Sequence, residues 1–66
     1  MPPKQLGMTL RRIRQAKGLS QEALAKKARL TRVYVNNLEA GKYDPTVGVL
    51  KRLAKALGVP VTALLE

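Results

Sequence analysis

Ser20-Gln21-Glu22-Ala23-Leu24-Ala25-Lys26-Lys27-Ala28-Arg29-Leu30-Thr31-Arg32-Val33-Tyr34-Val35-Asn36-Asn37-Leu38 reads as two short helices joined by a turn of three or four residues. Ser20 is a good N-cap, and Glu22 in the first turn is favourable against the helix dipole. Leu24, Ala25 and Ala28 make the inner stripe of the first helix, with Lys26-Lys27 suited to its carboxyl end. Thr31 caps the second helix, whose Val35 and Leu38 point inward at i, i+3. Helices crossing steeply over so short a turn need a small residue at the close approach, Ala25, and an apolar plug in the turn, Leu30.

Outward from this pair, the same period recurs. Leu6, Leu10, Ile13 and Ala16/Lys17 share one face of a helix expected over Thr9–Lys17, with Thr9 as cap and Gly18 as stop. The second helix of the pair should end at Ala40-Gly41, and Lys42-Tyr43-Asp44-Pro45 reads as a turn, since Asp-Pro disfavours helix before the proline. Thr46 caps a further helix with Leu50, Leu53, Ala54 and Leu57 inward, Lys51, Arg52 and Lys55 outward and Gly58 as stop. Pro60 suits the first turn of a short last helix through Val61, Leu64 and Leu65. Nothing alternates with period two. The expected fold is all-α, a compact five-helix single domain over residues 1–66, with residues 1–5 as a flexible arm.

Composition narrows the function. The 66 residues carry 13 Lys+Arg against 4 Asp+Glu, a net charge of +9, with no histidine and no cysteine. Imidazole and thiolate catalysis is therefore excluded. Glu22, Glu39, Asp44 and Glu66 are scattered and show no dyad or metal-loop spacing. No enzyme, cofactor or metal is expected. A core this small is thin, so extra stability must come from tight helix packing or a second subunit. No run approaches the ~20 apolar residues of a membrane span, and the start is polar, which points to the cytoplasm. The basic amphipathic run Leu50–Leu57 could suit a membrane surface, but the matching apolar stripes of the other helices favour a core. Charge is uneven: residues 1–32 hold nine bases against Glu22, a net +8, and residues 33–66 hold four against three acids, a net +1. One basic face for a polyanion, nucleic acid being the commonest, fits that asymmetry.

Residues 20–39 have the spacing of a helix-turn-helix. The wider series resembles the lambda-repressor/Cro-like, or xenobiotic-response-element, family. It comprises Arg14, Gly18-Leu19-Ser20-Gln21-Glu22, Leu24-Ala25, Leu38-Glu39, Gly41-Lys42, Pro45, Leu50 and Leu53-Ala54-Lys55-Ala56-Leu57-Gly58-Val59. The resemblance covers roughly residues 6–65. It implies a five-helix lambda-repressor-like domain that binds double-stranded DNA, its third helix in the major groove and its second across the backbone.

By the same resemblance, Thr31, Arg32 and Val33 match the exposed first turn of the reading helix, and Asn36 and Asn37 its groove-facing continuation. Gln21 matches a phosphate-touching position that braces that helix. Gly41 and Lys42 match the phosphate-contacting loop, and Arg14 and Glu39 a structural ion pair. Side-chain chemistry agrees: arginine takes guanine O6 and N7, asparagine takes adenine N6 and N7, and valine suits a thymine methyl. Base-reading is thus expected of Arg32, Val33, Asn36 and Asn37, and phosphate binding of Gln21, Arg29, Thr31, Tyr34 and Lys42. Each has a plainer alternative. Arg32 could hold a phosphate, the asparagines could be solvated polar positions, and Tyr34 could pack beside the end of the first helix. Tyr43 reads as a locally packed turn residue.

Three positions depart from the family pattern: Arg29 stands where a turn glycine is usual, Gly48 lies in a helix first turn, and Pro60 replaces a Ser/Thr cap. A left-handed Arg29 would cost about 1 kcal/mol. The implied function is a transcriptional regulator, a repressor, acting as a homodimer on a palindromic operator, with Val61, Leu64 and Leu65 as dimer candidates. The alternative is an antitoxin or coactivator-like module that uses this fold to bind a protein partner.

Overall fold

Pro3 opens the first helix because proline at the first helical position has its φ preset and needs no N–H partner. The computed structural model describes residues 2–65. They form α1 (Pro3–Ala16), α2 (Gln21–Ala28), α3 (Arg32–Glu39), α4 (Val47–Leu57) and a closing 3-10 turn (Val61–Leu64), with no strand among the described residues. The expectation of a fifth α-helix is corrected by that last element. Its bonds run i→i+3, Ala63 N–H to Pro60 O at 2.9 Å and Leu65 N–H to Thr62 O at 3.1 Å, and Pro60 precedes it in extended conformation.

The start of α1 is a second correction. Thr9 is not a cap but a buried residue in mid-helix, and Pro3 to Gln5 are helical rather than a flexible arm. Met1 lies outside the described residues. The cause is packing: α1 continues back to Pro3, and a Cβ on Gly41 would lie 2.9 Å from Lys4 Cα, so the first turn of α1 sits directly on the segment after α3. Ser20, Thr31 and Thr46 cap as expected, their hydroxyl oxygens accepting from the N–H of Ala23, Tyr34 and Val49 at 3.0, 3.0 and 3.2 Å.

All four helices end in the same way, with a residue of positive φ beyond the last turn and paired backbone bonds that satisfy the terminal carbonyls. Gly18, Arg29, Gly41 and Gly58 occupy those positions, with φ of 71°, 59°, 78° and 68°. The second N–H of each closure comes from Leu19, Leu30, Lys42 and Val59, which donate to Arg14, Ala25, Asn37 and Ala54 O at 2.8–3.1 Å. Arg29 is the only non-glycine with positive φ among the described residues.

The core is the expected set: Leu6, Leu10 and Ile13 of α1, Leu24, Ala25 and Ala28 of α2, Val35 and Leu38 of α3, and Leu50, Leu53, Ala54 and Leu57 of α4. Leu64 completes it at 0% exposure. Ala16 and Lys17, at the end of the expected α1 stripe, are exposed. Gly7 sets how closely α1 approaches α3. A Cβ there would stand 2.6 Å from the Glu39 carbonyl oxygen and closer still to that of Leu38. Gly48, by contrast, has only Thr46 Oγ1 nearby, at 3.8 Å.

The two glycines therefore respond oppositely to alanine. Gly7→Ala should destabilise by about 2–3 kcal/mol, the cost of forcing packed backbones apart. Gly48→Ala should stabilise by about 0.5–1 kcal/mol through helix propensity. Urea unfolding of both variants checks this, and equal effects of the same sign would refute the close-approach argument.

Candidate nucleic-acid interface

One turn of α3 sorts its side chains by burial. Val35 and Leu38 are 0% and 1% exposed, anchoring the helix to the core, while Val33 is 62% exposed. Thr31, Arg32 and Asn36 are exposed and Asn37 half-buried, so the four expected base-readers lie on the side of α3 away from its anchor. The Thr31 hydroxyl caps the helix through its lone pair and keeps its hydrogen for an outside acceptor. Lys42 is exposed just beyond α3, where its backbone N–H closes the helix.

A hydrogen-bonded chain fixes α3 to α1 and α2. Arg14 Nε donates to Glu39 Oε2 at 2.6 Å and Nη2 to Oε1 at 3.1 Å, while Nη1 donates to Leu19 O at 2.7 Å. The two side chains are 10% and 4% exposed. Gln21 extends the chain, its Nε2 donating to Glu39 Oε1 at 3.1 Å and to Asn36 Oδ1 at 3.3 Å. Both amide hydrogens of Gln21 are thus engaged within the protein. The bracing role expected of this residue is visible in the geometry, whereas a phosphate contact through Nε2 requires one of these bonds to open.

The remaining candidate residues take these positions. Tyr34 stacks on Tyr43, with centroids 5.5 Å apart and planes at 18°. Tyr43 Oη accepts from Asn37 Nδ2 at 3.4 Å, which ties the loop after α3 to the reading helix. Arg29 lies at the opposite end of α2 from Gln21, in a groove with Lys27, Arg52 and Lys55. Leu64 is removed from the dimer candidates, since it is wholly buried in its own core; Leu65 stays 47% exposed and Val61 half-buried.

Arg52 is exposed, as expected of the wet face of α4, but sequence reasoning missed what it does. Its Nε donates to Ala28 O at 2.9 Å and its Nη2 to Arg29 O, so α4 holds the carbonyls at the left-handed end of α2. The signal was indirect: a non-glycine at a left-handed position implies support from elsewhere. Gly7 carried a plainer signal, a glycine inside an apolar helical stripe.

The helix-turn-helix family model matches residues 10–64. The chain belongs to the helix-turn-helix family. This is a family of DNA-binding transcriptional regulators and not of enzymes, and the resemblance read from the sequence stands. Among relatives of this helix-turn-helix protein, the immunity repressor protein of Bacillus phage phi105 is 37% identical over 59 residues, 89% of this chain and 41% of that one. An HTH-type transcriptional regulator, y4dJ, of Sinorhizobium fredii is 41% identical over 56 residues, 85% of this chain and 73% of its own. The chain thus spans less than half of the phage repressor's length and about three quarters of the Sinorhizobium protein's. Among solved structures, the restriction-modification controller protein C.AhdI from Aeromonas hydrophila superposes with a TM-score of 0.92 at 39% identity, covering 94% of each chain.

The buried pair should behave as a unit. Glu39→Ala leaves the Arg14 guanidinium buried without its partner and should cost about 3–5 kcal/mol. Arg14→Met with Glu39→Met should cost less than the sum of the two single replacements, measured as a double-mutant cycle by chemical denaturation. Additive losses would mean that the pair is not coupled.

Proposed function

We propose that this helix-turn-helix protein is a sequence-specific reader of duplex DNA that regulates transcription as a repressor, by occupying an operator in the promoter region. The observation that carries this reading is the open arc of Arg32, Val33, Asn36 and Asn37, mounted on a helix whose opposite face is anchored by Val35 and Leu38. A guanidinium, a methyl pair and two amides match the groups that base edges present in the major groove. Thr31 and Lys42 flank the arc and supply phosphate contacts that set register. Tyr34 reaches phosphate through its hydroxyl, because its ring is held against Tyr43. Gln21 acts chiefly as a brace, and Arg29 adds charge at the far end of α2.

Relatives named an immunity repressor and a restriction-modification controller support the regulatory role and the choice of repressor. The work is done in the cytoplasm, where promoter DNA is reached; among the described residues no helix is long and apolar enough to cross a membrane.

A reader this small gains specificity by pairing two copies on a palindrome, with half-sites about one helical turn, ~34 Å, apart. Exposed Leu65 and half-buried Val61, at the two ends of the closing 3-10 turn, are the surface for that dimer. Sedimentation should show a dimer on operator DNA, and Leu65→Glu should shift it towards monomer. A protein that stays monomeric both free and on DNA would remove the dimer from this account.

Reading and anchoring should separate in mutants. Arg32→Ala should relax preference at one base pair, a loss of about 1–3 kcal/mol on operator DNA, and Lys42→Ala should weaken operator and random duplex alike. With about three to five phosphates neutralised per subunit, log affinity against log salt should fall with a slope of roughly −5 to −9 for the dimer. Titrations on both duplexes over a range of salt test all three outcomes. Equal losses by both variants on both duplexes would overturn the division of roles, and weak binding to every duplex would favour the protein-partner module.

A further inference from the structure

Nothing in the fold requires a side chain at position 29. Its φ of 59° is left-handed, a conformation that glycine adopts freely and other residues adopt at a cost. Gly18, Gly41 and Gly58 fill the same place at the other three helix ends. The Arg29 side chain is exposed, and its guanidinium makes no hydrogen bond or ion pair among the described residues. A strained backbone that carries an uncommitted charge implies a use outside the fold.

The groove beside Arg29 is built by two helices. Lys27, Ala28 and Arg29 line it from the carboxyl end of α2, and Arg52, Lys55 and Ala56 from α4. Arg52 joins the two walls through the carbonyls of Ala28 and Arg29, which takes up two of its nitrogens. Lys27, Arg29 and Lys55 are exposed, and Arg14–Glu39 is the one ion pair among the described residues, so none of the three has an acidic partner there. Like charges around one groove repel, and an anionic occupant relieves that repulsion.

The kind of anion follows from the donors. Built phosphate sites draw on free backbone N–H groups at the amino ends of helices. This groove lies at a carboxyl end, where the N–H groups of Arg29 and Leu30 are already bonded to Lys26 and Ala25 O. What remains are separate cations on flexible stems beside the methyl groups of Ala28 and Ala56, an arrangement suited to carboxylates spaced along a polypeptide. A second copy of this chain is a poor source of them, since it has four acids and Glu39 is committed to Arg14.

We propose that this groove is a docking surface for a carboxylate-rich segment of a partner protein, and that it stays open while α3 is on DNA. The first part stands on the groove alone; the second rests on the reading of α3 as a major-groove reader. No residue of α3 lines the groove. An exposed ion pair is weak by itself, so the surface serves a partner already held close by on the same DNA, where its effective concentration is high.

Fluorescence anisotropy of a labelled glutamate-rich peptide, with its glutamine counterpart as control, tests the proposal on the full chain. The wild type should bind the glutamate peptide alone. Lys27→Gln with Lys55→Gln should weaken that binding by about five- to tenfold, whereas Arg12→Gln with Lys17→Gln, an equal loss of charge at exposed positions of the α1 region, should weaken it by at most about twofold. Arg29→Gly should weaken it too while raising the urea midpoint, which separates a lost contact from a damaged fold. Equal losses from the two double variants would mean that binding follows net charge, and would overturn the proposal. So would an equal loss of affinity for random duplex when Lys27 and Lys55 are replaced, which would give the groove to DNA phosphate. With the chain saturated by a duplex selected from a random pool, the peptide should still bind, and its expulsion by that duplex overturns the second part. Peptide binding that depends on Lys27 and Lys55 in a protein that takes up no duplex removes the reading of α3 and leaves the docking surface standing.

Discussion

Arg14 and Glu39 form a charge pair whose side chains are 10% and 4% exposed, and three helices take their relative positions from it. Taking two charges out of water is costly, and their attraction offsets that cost only when geometry is good and the remaining hydrogen-bonding groups are filled. Both conditions are met. The guanidinium meets the carboxylate with two nitrogens, its third goes to Leu19 O, and the carboxylate takes a further bond from Gln21. Such a pair adds little net stability over an apolar replacement, but it has few alternative arrangements. Its contribution is to fix the end of α3 against α1 and the start of α2, where an apolar contact would tolerate sliding.

That restriction matters because the reading helix is only eight residues long. A helix of this length has little stability of its own and holds its orientation through packing. Val35 and Leu38 anchor one face, Thr31 fixes the start, and the Glu39 cluster fixes the end. Gly7 lets α1 lie against the carbonyls of Leu38 and Glu39, close enough for Arg14 to reach the carboxylate. The turn before α3 is held from the other side. Arg29 takes a left-handed conformation that glycine would adopt without strain, and Arg52 of α4 grips the carbonyls of Ala28 and Arg29. The angle between α2 and α3 therefore depends on long-range contacts at both ends.

Local chemistry explains what was legible in the sequence. The hydroxyl caps at Ser20, Thr31 and Thr46, the glycines at 18, 41 and 58, and the apolar stripes all act within one or two turns, so their spacing is enough to place α2, α3 and α4. Two element boundaries were not legible. Thr9 resembles a cap, but α1 runs through it because Leu6 and Gly7 pack on α3 and the first turn rests on Gly41, which are tertiary facts. The last element is a 3-10 turn because Leu64 must reach the core within four residues of Pro60. Side-chain partners distant in sequence were equally hidden: nothing near Arg52 indicates Ala28 O, 24 positions away. The Arg14–Glu39 pair, 25 positions apart, was reached only through family resemblance.

The arc on α3 was legible as a set of residues, but not as a set of oriented groups. Periodicity puts Arg32, Val33, Asn36 and Asn37 outward, which says what types of side chain are offered. It does not say which edge of an amide is presented, because rotation about one bond exchanges donor and acceptor. That information comes from the partners, and the partner of Asn36 is tied to the buried pair. In a domain with so thin a core, contacts that stabilise the fold lie directly against the exposed arc, and Gln21 bonds to both Glu39 and Asn36. A substitution at Arg14 or Glu39 would then act on the placement of α3 as well as on stability, because the brace from Gln21 rests on the charge pair beneath it.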